Sequence, residues 1–262
     1  MKHFIYLLSV VFFLTSCKNK NDLKFNENTK FNASLGNITD FKTINFPSKD
    51  GLSITADLYL IKEPKDIILL CHQAGFSRGE YIETAKRLNK MGYSCLAIDQ
   101  RSGKGVNGVV NQTAELAIKK GVESSSYLDA KPDIEAAIDY AYKMNNSKAV
   151  IIVGSSYSAS LSLLLATSSD KIKAVAAFSP GEYLKGVSVS KAIVSLDKPI
   201  FVTSSKKEIN EVVGLLDRIV VKNITHFKPK TASIHGSRGL WKSTESNGNC
   251  WSSFEGWLKS LK

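Results

Sequence analysis

Short, almost wholly apolar runs recur through this chain and limit its fold more than any other feature: Asp66–Cys71, Tyr93–Ile98, Ala149–Val153, Lys173–Phe178 and Pro199–Thr203. Each is too short for a core helix and lacks the polar alternation of a half-exposed strand, so each reads as a strand buried on both faces. Segments of helical spacing separate them. Glu80–Met91 places Ile82, Ala85 and Leu88 on one stripe. Asp129–Tyr142 does the same with Ile134, Ala137, Ile138 and Ala141, with Asp129 as a cap and Pro132 in the first turn. Further helices are expected over Tyr157–Thr167, Glu208–Arg218 and Trp251–Leu261, and a last strand over Ile224–Lys228. Such alternation gives an α/β architecture, a mostly parallel twisted sheet with helices on both faces. Phe41–Phe46 and Leu52–Leu60, joined across Asp50-Gly51, add an N-terminal antiparallel hairpin.

A chain of 262 residues can bury one substantial core. Its net charge of +11 comes from 35 Lys+Arg against 24 Asp+Glu. The lysines are scattered rather than clustered, and no aromatic residues are interleaved for base stacking. The excess therefore describes a basic surface, not a nucleic-acid site. At the N-terminus, Lys2, the apolar run Phe4–Leu14 and then Leu14-Thr15-Ser16-Cys17 have the form of a secretory signal. The last four residues resemble a bacterial lipobox. That implies removal of residues 1–16, acylation of Cys17 and a lipid-anchored place in the cell envelope. Residues 17–38, rich in Asn and Lys, read as a flexible tether, and 39–262 as the folded body. Cys71, Cys95 and Cys250 are then left, an odd number that is no disulfide framework.

In a parallel sheet, ligands bind outside the carboxyl ends of the strands, so the loops there carry the chemistry. Ile151-Ile152-Val153-Gly154-Ser155-Ser156-Tyr157-Ser158 passes from buried strand to helix within a few residues. A strained turn of this kind lifts a serine hydroxyl clear of the sheet, provided that its flanking residues are small. Gly154 and Ser158 flank Ser156, which makes Ser156 the candidate nucleophile over Ser155. Ser158 stands where a glycine is usual. The Tyr157 N–H, at the helix start, is a candidate oxyanion donor.

Leu69-Leu70-Cys71-His72-Gln73-Ala74-Gly75 follows the first parallel strand, where a second oxyanion N–H belongs. Gln73 and Ala74 are the candidates, and His72 reads as a structural histidine. His235, in a Gly- and Ser-flanked loop after the last strand, is the candidate general base. With chain order Ser, acid, His, the acid falls after Pro199–Thr203. Glu208 is the first choice, Glu182 the alternative and Asp197 a weaker one. Arg78, Arg101 and Arg238 stand on the same loops and could bind a substrate carboxylate or brace neighbouring acids.

Taken in order, the hairpin, the Cys71-His72-Gln73-Ala74-Gly75 loop, Ala97-Ile98-Asp99-Gln100-Arg101, the Gly154–Ser158 turn and His235-Gly236 resemble the α/β-hydrolase superfamily. Within it they resemble dienelactone-hydrolase-like bacterial lipoproteins, over roughly residues 40–262. The resemblance implies the α/β-hydrolase fold and hydrolysis of small esters, lactones or related acyl compounds through an acyl-enzyme, with no metal or organic cofactor. Dienelactone hydrolases proper use cysteine, whereas Ser156 stands here, so dienelactone is not implied. A catalytically silent envelope binding protein and a serine peptidase or acyltransferase are the alternatives. Tyr183–Asp197 is expected to form a lid or pocket wall.

Overall fold

The structure, a computed structural model, describes residues 41–219, 222 and 224–261. The signal segment 1–16, Cys17 and all of the expected tether lie outside the described residues. Strand β1 (Lys42–Pro47) turns through Gly51, at φ +87°, into β2 (Ser53–Tyr59). Then follow β3 (Asp66–Cys71), α1 (Ile82–Lys90), β4 (Tyr93–Ile98), a small hairpin of β5 (Gly105–Val106) and β6 (Val109–Val110), α2 (Gln112–Lys119) and α3 (Lys131–Met144). The second half runs β7 (Val150–Ser155), α4 (Tyr157–Ala166), β8 (Ile172–Phe178), α5 (Val189–Ala192), β9 (Ile200–Thr203), α6 (Ile209–Leu216), β10 (Ile224–Phe227) and α7 (Asn247–Ser260).

Eight strands form one sheet in the order β1-β2-β4-β3-β7-β8-β9-β10. β1, β2 and β4 are joined by antiparallel pairings, and every pairing from β4 through β10 is parallel. Successive side chains on a strand point to opposite faces. Along β7, Val150 and Ile152 accordingly pack under α3 and α4, while Ile151 and Val153 pack under α1 and α7. Both faces are thus dry, which is why the strands read as unbroken apolar runs. Cys71 pairs with Ile98 and Cys95 with Ile68, and the two thiols belong to opposite faces. No disulfide can join them.

One expectation needs correction, and one helix was not expected. Asp129 is not the cap of α3 itself; it stands in a short 3-10 turn ahead of it, exchanging hydrogen bonds with Ser126. The stretch between Ile98 and Asp129 carries a helix, α2, that its residue pattern does not announce. The Asn111 side chain caps it by accepting the Ala114 N–H at 2.8 Å. Among the described residues, no helix is long and apolar enough to cross a membrane.

Candidate active site

The carboxyl ends of β3, β7, β8 and β9 lie side by side in the sheet, so the loops that leave them meet above its centre. Ser156 links β7 to α4 at φ +60° and ψ −124°, a backbone conformation that a serine adopts only when its surroundings hold it there. Its N–H donates to the Phe178 carbonyl at 2.8 Å, which carries the pairing of β7 with β8 one residue into the turn. A Cβ on Gly154 would lie 2.5 Å from both Ala159 Cα and the Ser158 carbonyl oxygen, so only glycine fits there. Ser158 fits for a different reason. Its hydroxyl accepts the Ser155 N–H at 2.9 Å and reaches the Cys71 carbonyl at 2.7 Å, tying the turn to the end of β3. Ser155 is fully buried and its Oγ is held by the Ser237 N–H of the histidine loop at 2.9 Å, so its hydroxyl is engaged inside the packed loops.

His235 and Glu208 come together although 27 residues separate them. The His235 Nδ1 hydrogen-bonds Glu208 Oε1. Glu208 Oε2 accepts the Ser179 hydroxyl at 2.8 Å and the Ser205 N–H at 2.9 Å. Partial burial pushes this carboxyl up, but the hydrogen bonds from His235, Ser179 and Ser205 outweigh that and hold it down at about 2. Glu208 is therefore ionised at neutral pH, and a carboxylate on Nδ1 selects the tautomer that leaves Nε2 free to accept a proton. Ser179, at the end of β8 with φ +52°, also accepts the Gly236 N–H at 3.0 Å, so one hydroxyl fixes both the acid and the histidine loop. Gly236, at φ +76°, passes so close to the neighbouring loops that a Cβ there would lie 2.5 Å from Gln73 Oε1 and 2.6 Å from Ser155 Oγ.

Glu182 is not placed to serve as the acid, because its carboxylate caps α5 through the N–H groups of Val189 and Ser190. Asp197 precedes β9 and so lies at the wrong end of that strand.

The two amides nominated on the β3 loop have different fates. Gln73 N–H donates to Glu80 Oε2 at 2.7 Å and is thereby occupied. The Gln73 carbonyl is held by His72 Nδ1 at 2.8 Å and by the Phe76 N–H at 3.3 Å. Across a trans peptide the Ala74 N–H must point the opposite way. Neither it nor the Tyr157 N–H has an acceptor among the described residues. His72 is buried and structural as expected. Its Nε2 accepts the Gln100 N–H at 3.0 Å, so Nδ1 carries the proton, and burial pulls its pKa down to about 4.

Two of the three arginines are occupied elsewhere, which corrects their candidacy for substrate binding. Arg78 lies buried between Asp57 at 3.0 Å and Asp99 at 2.6 Å. Arg101 is clamped by Asp133 at 2.7 Å and Asp50 at 2.8 Å. Arg238 forms no ion pair among the described residues; its guanidinium sits 5.6 Å from the centre of the Phe76 ring.

A cavity of about 620 Å³ opens beside Ala74, with Ser102, Lys104, Tyr127, Tyr183 and Lys185 among its lining residues. Tyr183 meets the His235 ring edge-on at 6.5 Å, so the cavity adjoins the histidine. Leu184, Val189, Ile193 and Leu196 are buried in the core, which makes the Tyr183–Asp197 segment a packed wall rather than a lid. Tyr183 falls at the start of the expected pocket wall, whereas sequence reasoning missed Ser179. The signal for Ser179 was its place just beyond the strand that pairs with β7.

Residues 62–211, more than half of the chain, match the family described as serine aminopeptidase, S33. The chain belongs to that family. Solved structures agree with the α/β-hydrolase fold. An esterase of Pyrococcus furiosus superposes with a TM-score of 0.66 at 18% identity, covering 84% of this chain and 92% of that one. Dienelactone hydrolase from Anabaena variabilis gives 0.65 at 13% identity, covering 85% and 98%. The esterase domain of a Rhodothermus marinus protein gives 0.59 at 13% identity, covering 84% and 98%. A search of curated proteins returns no match. The chain is thus an S33-family hydrolase with an α/β-hydrolase fold, and the Ser156, His235 and Glu208 loops occupy the carboxyl edge of its sheet.

Proposed function

We propose that this protein is a serine hydrolase that cleaves small carboxylic esters or lactones through an acyl-enzyme. The observation that carries the reading is the His235–Glu208 pair held beside the strained Ser156 turn by Ser179 and Gly236. In this reading the Ser156 hydroxyl attacks the acyl carbonyl while His235 Nε2 takes its proton. The tetrahedral oxyanion is held by the Ala74 and Tyr157 N–H groups, helped by the positive end of α4. His235 then returns the proton to the leaving alcohol. Water, deprotonated by the same imidazole, releases the acid and restores Ser156. Glu208 orients the ring and stabilises imidazolium in both half-reactions. Each step is proton transfer and acyl transfer among groups of this chain and substrate.

The adjoining cavity, about 620 Å³, has room for the acyl or alcohol group of a small ester. Lys104 and Lys185 stand on its walls with a single free acid, Glu123, and the two lysines enter no ion pair among the described residues, so the excess positive charge favours an anionic substituent on the substrate. Both lysines are exposed, so each should contribute only about 0.2–1 kcal/mol, roughly a 1.4- to fivefold preference. Kinetic comparison of a carboxylate-bearing ester with a neutral one of equal size tests this; equal rates would remove the preference.

The decisive experiment is fluorophosphonate labelling of the full-length protein, with the adduct located by peptide mass spectrometry. An adduct on Ser156, absent in Ser156→Ala and His235→Ala but retained in Ser155→Ala, supports the reading. A folded protein that takes no label would point to a silent hydrolase-fold binding protein. The family description brings amide substrates into view, and turnover of an aminoacyl amide faster than its ester would favour a peptidase. We further propose that a lipid on Cys17 tethers the enzyme to the cell envelope. Incorporation of an alkynyl fatty acid that persists in Cys17→Ser would exclude that anchor.

A further inference from the structure

Glu80 is a fully buried carboxylate that the proposed chemistry does not use. It stands in the 3-10 turn Arg78–Tyr81, ahead of α1, and touches two of the three loops that build the site. Its Oε2 accepts the Gln73 N–H at 2.7 Å, and its Oε1 accepts the Ser237 hydroxyl at 2.6 Å. The Ser237 N–H in turn donates to Ser155 Oγ at 2.9 Å. A second strut runs from the Trp241 indole to the Glu80 carbonyl at 2.9 Å. One side chain therefore connects the loop bearing Ala74, the loop bearing His235 and, through Ser237, the turn bearing Ser156. Gln73, Ser155 and Ser237 are each next to a proposed functional residue or one removed from it, so a shift in any of them is transmitted directly.

A carboxylate suits this junction better than other side chains. All its neighbours here are donors, and its two oxygens face opposite loops. Burial raises its pKa, opposed by the bonds from Ser237, Gln73 and Ser155 and by the nearby charge of Arg238. Leaving such a group unpaired would be costly, so its contacts should be stiff. We propose that Glu80 is a positioning residue that sets the oxyanion loop, the serine turn and the histidine loop in register with one another. The kinetic part of this rests on the serine-hydrolase reading; the structural part does not.

Catalysis loses about tenfold for each 1.4 kcal/mol of misplacement. Glu80→Ala should therefore lower kcat on p-nitrophenyl acetate by about 30-fold or more, with KM within about threefold, because Glu80 does not line the cavity. Glu80→Gln can keep its oxygen on the Gln73 N–H and offer its amide to Ser237 Oγ, so it should recover to within about fivefold of the parent. Should Glu80→Ala fail to fold, Ser237→Ala cuts the same strut at its far end and should give a smaller loss of the same kind. Backbone hydrogen exchange supplies the readout independent of activity. In Glu80→Ala or Ser237→Ala, exchange should quicken together at Gln73, Ser156 and Gly236–Ser237, while β3 and the body of β7, Val150–Gly154, stay protected. Wild-type kcat in folded Glu80→Ala, or exchange quickened at Gln73 alone, would overturn the proposal. If the parent itself takes no fluorophosphonate, the serine-hydrolase reading fails and the exchange pattern alone decides the role of Glu80.

Discussion

Replacing Glu208 by Gln tests the catalytic arrangement most sharply, because the structure dictates how the amide must sit. Two donors, the Ser179 hydroxyl and the Ser205 N–H, converge on Oε2, so the amide oxygen of the substituted side chain takes that position. Its NH₂ then faces His235 Nδ1, which can only accept. The imidazole is driven to the tautomer protonated on Nε2, which cannot take a proton from Ser156. The substitution also deletes the charge that stabilises imidazolium. Two unit charges about 4 Å apart near a protein surface interact by about 4 kcal/mol, or roughly three decades in rate. The expected loss in kcat/KM on p-nitrophenyl acetate at about pH 7.5 is therefore about 10³-fold, with KM nearly unchanged. Glu208→Ala keeps the tautomer free and should lose less than Glu208→Gln. Glu182→Gln, which touches only the cap of α5, should stay within about twofold. A folded Glu208→Gln protein within about tenfold of the parent would refute the assignment of the acid, and with it the tautomer argument.

Other consequences can be measured on the same variants. Glu208 has its pKa depressed on folding, so the stability it contributes is present above pH 4.5 and is lost as pH falls toward 2. Its full shift would be worth about 3 kcal/mol, reduced to about 1–2 by solvent screening; urea midpoints at about pH 6 and pH 3 should thus fall further apart in the parent than in Glu208→Gln, and equal differences would contradict this. Gly154→Ala places a Cβ against backbone that cannot move aside. It should destabilise by about 1–3 kcal/mol or more, whereas an unchanged urea midpoint would mean the turn can relax. Arg101→Met leaves the buried Asp133 unpaired and should cost about 3–5 kcal/mol. The same change should leave the preference between anionic and neutral esters where it was; a lost preference would return Arg101 to the substrate site.

Much of the architecture is legible in the sequence because it follows from local rules. Ile67–Leu70 and Ile151–Val153 are too apolar for any strand but a doubly buried one, and the stripe of Ala85 and Leu88, with Ile82 half-buried at its start, marks a helix with one dry face. The stretch between Ile98 and Asp129 was opaque because α2 is short and only Thr113, Ala114 and Ala117 of it are buried, too little for a periodic signal. The serine turn was legible because its demand for small neighbours is steric and falls within five residues.

The partners in the site are a different matter. Sequence left Glu208 and Glu182 as rivals, since both follow a strand and both precede a helix. The fold separates them by giving Glu182 two helical N–H groups and Glu208 an imidazole. It likewise removed Gln73 N–H from the oxyanion candidates and occupied Arg78 and Arg101 with buried acids. The contact between Glu80 and Ser237 spans 157 residues, and no local pattern encodes it. Sequence by itself determined the main strands and most of the helices, and which serine and histidine stand at the carboxyl edge of the sheet, because period and sterics act over a few residues. The carboxylate that meets His235, the free amides and the loop junction were decided only by tertiary structure, because a hydrogen bond depends on which donors and acceptors the packed chain brings within about 3 Å of each other.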